Sequence, residues 1–135
     1  HQEVFGPFSL IVACKDINEL NLIMDELEGQ LSITIIAENS DLTTNKSLIE
    51  TIRDKCGRLI LNNVPTGVEV TQAMNHGGPF PATTDSRFTS VGTSAILRFV
   101  RPLCYQNFPD DLLPDALKDN NPLGIWRKIN GVLTK

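Results

Sequence analysis

Leu31-Ser32-Ile33-Thr34-Ile35-Ile36-Ala37 and Arg58-Leu59-Ile60-Leu61-Asn62 are the segments on which the fold turns. Each is short, apolar and rich in β-branched residues, the composition of strands covered on both faces in a parallel sheet. Between them Leu48, Ile49, Ile52 and Cys56 recur at helical spacing, which predicts a helix starting near Thr44 and ending at Gly57, after a turn at Asn39-Ser40-Asp41. Upstream, Phe8-Ser9-Leu10-Ile11-Val12-Ala13-Cys14 has the same strand character. Asp16 is the expected N-cap of the next helix, with Glu19 as capping-box partner, Ile17, Leu20, Ile23, Met24 and Leu27 as its apolar stripe and Gly29 as its stop. Strand, helix, strand, helix, strand with short connections requires crossovers. The predicted class is therefore α/β, a mainly parallel sheet with covering helices.

Past Asn62 the pattern stops. From Asn63 to Arg87 the chain is rich in Pro, Gly, Thr and Asn without a period. A stretch of ~25 residues without regular structure is uncommon inside a domain and is often functional, so it is the candidate site loop. Ser90 to Ala95 reads as a short helical turn. Ile96 to Tyr105 alternates imperfectly around Arg98 and Arg101 and reads as a strand, held to an edge or a bulge by Pro102. Pro109, Pro114 and Pro122 then punctuate a tail with Trp126 as its apolar anchor. The expected organisation is a sheet-and-helix part over residues 1–95, a projecting strand over 96–106 and a tail over 107–135.

A length of 135 residues fits one domain, long enough to bury roughly 65 to 70% of the surface its unfolded chain exposes. With 12 Lys+Arg against 16 Asp+Glu the net charge is −4, and no basic block is present. Nucleic acid and anionic membrane are poor partners for such a chain. No apolar run approaches the ~18 residues of a spanning helix and no charged leader precedes one, which points to a cytoplasmic protein. Cys14, Cys56 and Cys104 are odd in number and widely spaced, against both a disulfide framework and a metal site. Each adjoins an apolar run with no visible His or helix start to lower its pKa, so they read as buried inert thiols rather than reactive ones. Neither G-x-G-x-x-G nor G-x-x-x-x-G-K-[ST] occurs, so dinucleotide phosphate binding is not encoded in this stretch. Ser90 or Ser94 with His76 and Asp85 can be drawn as a hydrolase triad, but no G-x-S-x-G elbow supports it.

The opening residues carry the chemistry. Glu3-Val4-Phe5-Gly6-Pro7, directly before a strand-like run, resembles the segment by which aldehyde dehydrogenases hold the nicotinamide ribose. A carboxylate there can accept hydrogen bonds from ribose hydroxyls while a ring packs beside the nicotinamide. The stretch from His76-Gly77-Gly78-Pro79-Phe80-Pro81 to Thr93, with Arg98-Phe99-Val100-Arg101-Pro102-Leu103-Cys104-Tyr105 after it, is similar to one branch of that family. The branch includes α-ketoglutaric semialdehyde (2,5-dioxopentanoate) dehydrogenases and NADP-dependent long-chain aldehyde dehydrogenases, and the likeness runs through essentially the whole chain.

This resemblance implies roles. Glu3 and Phe5 would contact the coenzyme, NADP or NAD, and Pro65, Thr66, Gly67, Val68 and His76 would line the tunnel for a small-molecule aldehyde. The reaction it implies is attack by a cysteine thiolate on the aldehyde, hydride transfer to NAD(P)+, and release of the acid by water that a glutamate activates. In the family that cysteine and that glutamate lie upstream of this segment. The chain is therefore expected to be the C-terminal part of a longer catalytic domain, to hold no catalytic residue, and to be inactive and without bound coenzyme by itself. The strand near 96–105 would join an intersubunit sheet in a homo-oligomer.

His76 stands where commoner members of the family carry an aromatic. It is either a histidine satisfied by backbone in a Gly-rich turn or a tunnel-wall donor to a carboxylate or keto oxygen, which a phenyl ring cannot be. The loop Val64 to Val68 lacks the bulky aromatics of those relatives, which implies a roomier or more polar tunnel. Arg87, Arg98 and Arg101 are each either a solvated or structural ion-pairing residue or a partner for a substrate carboxylate. The rival function is a non-enzymatic assembly module built on the 96–105 strand.

Overall fold

In the computed structural model, which describes residues 4–65 and 67–135, the two β-branched segments form strands β1 (Gln30–Ile35) and β2 (Cys56–Leu61) and pair in parallel. Ser32 lies opposite Arg58, Ile33 opposite Leu59 and Ile35 opposite Leu61. Both ends of the ladder are closed. At the start, the Gln30 N–H donates to the Lys55 carbonyl at 2.8 Å. At the far end, the Asn62 side chain stands in for backbone: its Oδ1 accepts from the Ala37 N–H and its Nδ2 donates to the Ala37 carbonyl, both at 2.9 Å. Asn62 has φ 50, a region that Asn tolerates better than other side chains.

Helix α1 (Ile17–Glu26) begins where its cap predicts: the Asp16 carboxylate accepts from the N–H groups of Asn18 and Glu19 at 3.0 and 2.9 Å. Glu19 reaches back one residue further than in a capping box, to the Lys15 N–H at 2.7 Å. The helix predicted from Thr44 is a pair, α2 (Asn39–Thr44) and α3 (Lys46–Asp54), split at Asn45. Asn39-Ser40-Asp41, expected as a turn, opens α2 because Glu38 and Asp41 form a reciprocal capping box there. Cys56 starts β2 instead of ending the helical stripe. Helix α3 packs on α1 and on β2 and buries Leu48 and Ile52, the buried apolar side chains among the described residues.

Gly29 and Gly57, expected as helix stops, do something else. Neither ends a helix; both sit at the start of the ladder, where the backbone of residues 77–80 runs directly over them. A Cβ at Gly57 would overlap the Gly77 carbonyl, and one at Gly29 would overlap the carbonyls of Pro79 and Phe80. From the other side, a Cβ at Gly78 would overlap the Gln30 carbonyl. Backbone lies on backbone here because no side chain intervenes.

Three other expectations are corrected. Residues 8–14 form no strand: neither β1 nor β2 pairs with them, and without a ladder the run stays largely exposed, Ile11 at 91%. The segment from 96 starts as a 3₁₀ helix, Thr93–Phe99, not as a strand, and residues 101–106 carry neither helix nor ladder. Trp126 is 64% exposed and anchors nothing by burial.

The chain divides into two units, the first reaching Val100 and the second Arg101–Lys135. The second holds a 3₁₀ turn, Asp110–Leu112, and a hairpin of β3 (Arg127–Ile129) and β4 (Val132–Thr134). Its turn is Asn130-Gly131, with φ 49 and 86, the pair of positive angles that a type I′ hairpin needs. Asn-Gly between apolar residues is the sequence signal for this hairpin, and the reading of the tail from its prolines passes over it. The Arg127 guanidinium holds the hairpin to the Lys118 and Asp119 carbonyls, the latter at 3.2 Å. Tyr105 and Phe108 meet edge to face, 5.2 Å between ring centroids.

Gly57→Ala should test the backbone contact. The added methyl must push residues 77–78 off the sheet, so a loss of about 1–3 kcal/mol is expected, measured by urea denaturation of the variant against the parent chain. An unchanged midpoint would show that the 77–80 segment does not rest on the ladder.

Candidate functional site

The site loop is positioned from the sheet outward. The Asn75 Nδ2 donates to the Gly57 carbonyl at 3.0 Å, and residues 77–80 follow along the ladder's start. On its other side the loop is tied to residues 89–91. The His76 N–H donates to Thr89 Oγ1 at 2.7 Å, while the His76 carbonyl accepts from the Ser90 N–H at 3.0 Å and from Ser90 Oγ at 2.9 Å. Thr89 is buried and fully engaged: its hydroxyl also donates to the Val91 carbonyl at 2.7 Å and accepts from the Val91 N–H at 3.3 Å. Sequence reasoning passed over Thr89, because a lone Thr in a polar stretch shows no periodicity. It is the residue that fixes where His76 sits.

With its backbone held this way, half-buried His76 lines a shallow pocket of about 80 Å³. Thr83, Thr84, Asp85, Phe88, Ser90 and Arg98 complete the wall. The main chain of His76 is thus satisfied by the loop, and the residue lines the pocket. The Thr83 hydroxyl is used internally, donating to the Gly78 carbonyl at 2.7 Å. Asp85 is held by Arg87 through Nε at 2.9 Å and Nη2 at 2.6 Å, with the Arg87 N–H adding a third contact at 3.0 Å. Those bonds from Arg87 hold the Asp85 carboxyl at about 2, below its ordinary 3.8. The Arg87 guanidinium also lies over the Phe88 ring, 5.5 Å from its centroid.

Arg98 reaches the pocket from the last turn of the 3₁₀ helix Thr93–Phe99. That helix is entered through Gly92, whose φ of 97 and close approach to the Thr71 carbonyl and Met74 suit no other residue. The Thr93 N–H then donates to the Thr71 carbonyl at 3.4 Å.

The remaining predicted residues are not gathered at this pocket. Phe5 is 98% exposed, and Glu3 and Thr66 lie outside the described residues. Pro65, Gly67 and Val68 are exposed and do not line it. A link does run between the loops: Arg58, on β2, donates to the Gly67 carbonyl at 3.3 Å and lies 3.8 Å from the Met74 sulfur, just ahead of His76. Of the cysteines, Cys56 is half-buried and its thiol pKa is pushed up by burial, in keeping with an inert thiol. Cys104, expected buried, is exposed. Among the described residues no cluster of His, Cys, Asp and Glu could hold a metal ion, and no helix is long and apolar enough to cross a membrane.

Thr89→Val should strand the His76 N–H in a buried place, at a cost of about 1–3 kcal/mol, and shift the amide resonances of residues 76 and 90. Wild-type stability in chemical denaturation would show the hydroxyl to be dispensable. For Asp85 the sign follows from its lowered pKa. The fork's contribution is complete above the ordinary carboxylate value of 3.8 and is lost as pH falls through about 2. A carbon-detected titration should therefore find Asp85 still ionised at pH 3, and Arg87→Ala should return it to the ordinary range.

No protein-family model matches the chain. Two relatives do. Over 133 residues, 98% of the chain, it is 58% identical to the alpha-ketoglutaric semialdehyde dehydrogenase of Acinetobacter baylyi. Over 129 residues, 96% of the chain, it is 53% identical to alpha-ketoglutaric semialdehyde dehydrogenase 2 of Azospirillum brasilense. In each case the chain spans 25% of the relative's length. With more than half of its residues identical along nearly its whole length, this chain belongs to the aldehyde dehydrogenase superfamily.

Proposed function

We propose that this chain is the C-terminal part of the catalytic domain of an NAD(P)-dependent aldehyde dehydrogenase that oxidises α-ketoglutaric semialdehyde to the corresponding dicarboxylic acid. The observation that carries the reading is the 58% and 53% identity with two proteins of that name. The polar wall of the pocket, with His76, Thr84 and Arg98, supports an oxo-acid substrate over the long alkyl chain of a fatty aldehyde. In this reading Glu3 and Phe5 hold the nicotinamide ribose, and Pro65, Thr66, Gly67, Val68 and His76 face the substrate. Their work is positioning: hydride transfer requires the nicotinamide carbon and the thiohemiacetal carbon to be held close and aligned. The thiolate and the general base come from residues outside this stretch. The coenzyme is NADP or NAD, the enzyme is cytoplasmic, and it assembles as a homo-oligomer.

Assembly has support in what is exposed. The apolar run 8–14 has no ladder partner, and a surface of this kind is ordinarily covered.

The test is direct. The longer protein carrying this segment should reduce NAD+ or NADP+ when given α-ketoglutaric semialdehyde, and the 135 residues alone should reduce neither. No coenzyme reduction by the longer protein with any aldehyde would overturn the reading, as would turnover by the purified short chain. In the longer protein Glu3→Gln should slow hydride transfer in single-turnover kinetics, by the equivalent of about 1–3 kcal/mol for one charge-assisted hydrogen bond.

A further inference from the structure

We propose that Arg98 is the specificity residue for the carboxylate end of the substrate, binding it in the pocket that His76 lines. This rests on the function proposed above and names which part of the substrate the pocket takes. The sequence offers Arg87, Arg98 and Arg101 as partners for such a carboxylate, and the structure separates them. Arg87 has both arms of its guanidinium on Asp85, at 2.9 and 2.6 Å, and its face on Phe88. Arg101 belongs to the other unit of the chain. Arg98 lines the pocket, and among the described residues it makes neither a hydrogen bond nor an ion pair.

The rest of the wall leaves the same conclusion. The Ser90 hydroxyl is turned to the His76 carbonyl and the Thr83 hydroxyl to the Gly78 carbonyl. Asp85 would repel an anion, but its carboxylate is neutralised by Arg87. The side-chain donors left without a partner among the described residues are the His76 imidazole, the Thr84 hydroxyl and the Arg98 guanidinium. A cation in a pocket that also holds free donors is a site for an anion, and the planar fork of Arg matches a carboxylate with two parallel N–H···O bonds. Its size agrees. At about 80 Å³ the pocket takes a small ionised head group, whereas sites that enclose a whole drug-sized ligand run to roughly 300–1,000 Å³.

The experiment compares two aldehydes on the longer enzyme: α-ketoglutaric semialdehyde, which carries the carboxylate, and pentanal, which does not. Arg98→Gln should raise KM for the first by roughly 10- to 100-fold, the scale for a lost charge-assisted hydrogen bond. The same variant should leave kcat and the pentanal KM near their starting values, because the lost binding is shared by ground and transition states. Arg98→Lys should recover part of the loss, since it restores charge without the fork. Equal changes for both aldehydes, or none for either, would overturn the proposal. A second arm needs no turnover: 2-oxoglutarate titrated calorimetrically into the same protein should bind to the parent and lose roughly 10-fold or more in affinity in Arg98→Gln. Binding that the variant leaves unchanged, or no binding to the parent, overturns the Arg98 assignment. Failure of the parent to oxidise any aldehyde would instead overturn the function itself.

Discussion

The described part of the candidate site depends on one close contact, the backbone of residues 77–80 lying on the first residues of β1 and β2. Parallel pairing brings Gly29 and Gly57 to the same end of a short ladder, and the absence of side chains there opens a slot that only another backbone can fill. Gly77 and Gly78 fill it from above. The contact fixes the loop at one end, and the Thr89 hydroxyl fixes it at the other by taking the His76 N–H. Between these anchors the His76 main chain is held at both its N–H and its carbonyl. A loop without regular structure thus gains a defined shape from hydrogen bonds and glycine contacts, not from burial of large side chains.

That economy shows in the rest of the first unit. Leu48 and Ile52 are its buried apolar side chains among the described residues, while Leu10, Ile11 and Val12 stand in water. Burial of apolar surface is the main favourable term in folding, so a chain with so small an interior and so large an exposed apolar run has unused driving force for association. The run at 8–14 has the composition of a strand buried on both faces, and its backbone has no ladder. Both facts fit a segment whose covering partners lie outside the described residues; the chain spans 25% of the length of the relatives it matches.

Much of the α/β part was legible in the sequence because it follows local rules. Asp16 caps α1 as its position before an apolar stripe demands, and the β-branched runs at 31–37 and 58–62 are strands displaced by a residue or two. The failures are equally local in cause. Gly29 and Gly57 look like helix stops, since a glycine that closes a helix and one that admits a neighbouring backbone have the same letter. The run at 8–14 has the right residues for a strand, but a strand exists only with a partner, and composition does not supply one. Asn130-Gly131 was a readable hairpin signal overshadowed by the prolines around it. Within the site, the loop was marked out by its lack of any period and His76 by its departure from the family's commoner aromatic, and the structure places His76 on the wall of a pocket. Thr89 was not, because its importance lies in three hydrogen bonds that no spacing announces.

The arrangement of charge around the pocket follows a simple logic. Asp85 and Arg98 both line the pocket, and a carboxylate without a partner of its own would offset the charge of the guanidinium. Arg87 prevents this by proximity: two residues from Asp85, it can take both carboxylate oxygens and its own N–H adds a third bond without any long-range packing. The pair is exposed, so it contributes little to stability. Its effect is on availability. By occupying Asp85, Arg87 leaves Arg98 as the uncompensated cation of the pocket, and a pocket with one uncompensated cation selects for an anion over a neutral alkyl chain. A local ion pair of small energetic weight can in this way set the sign of a site.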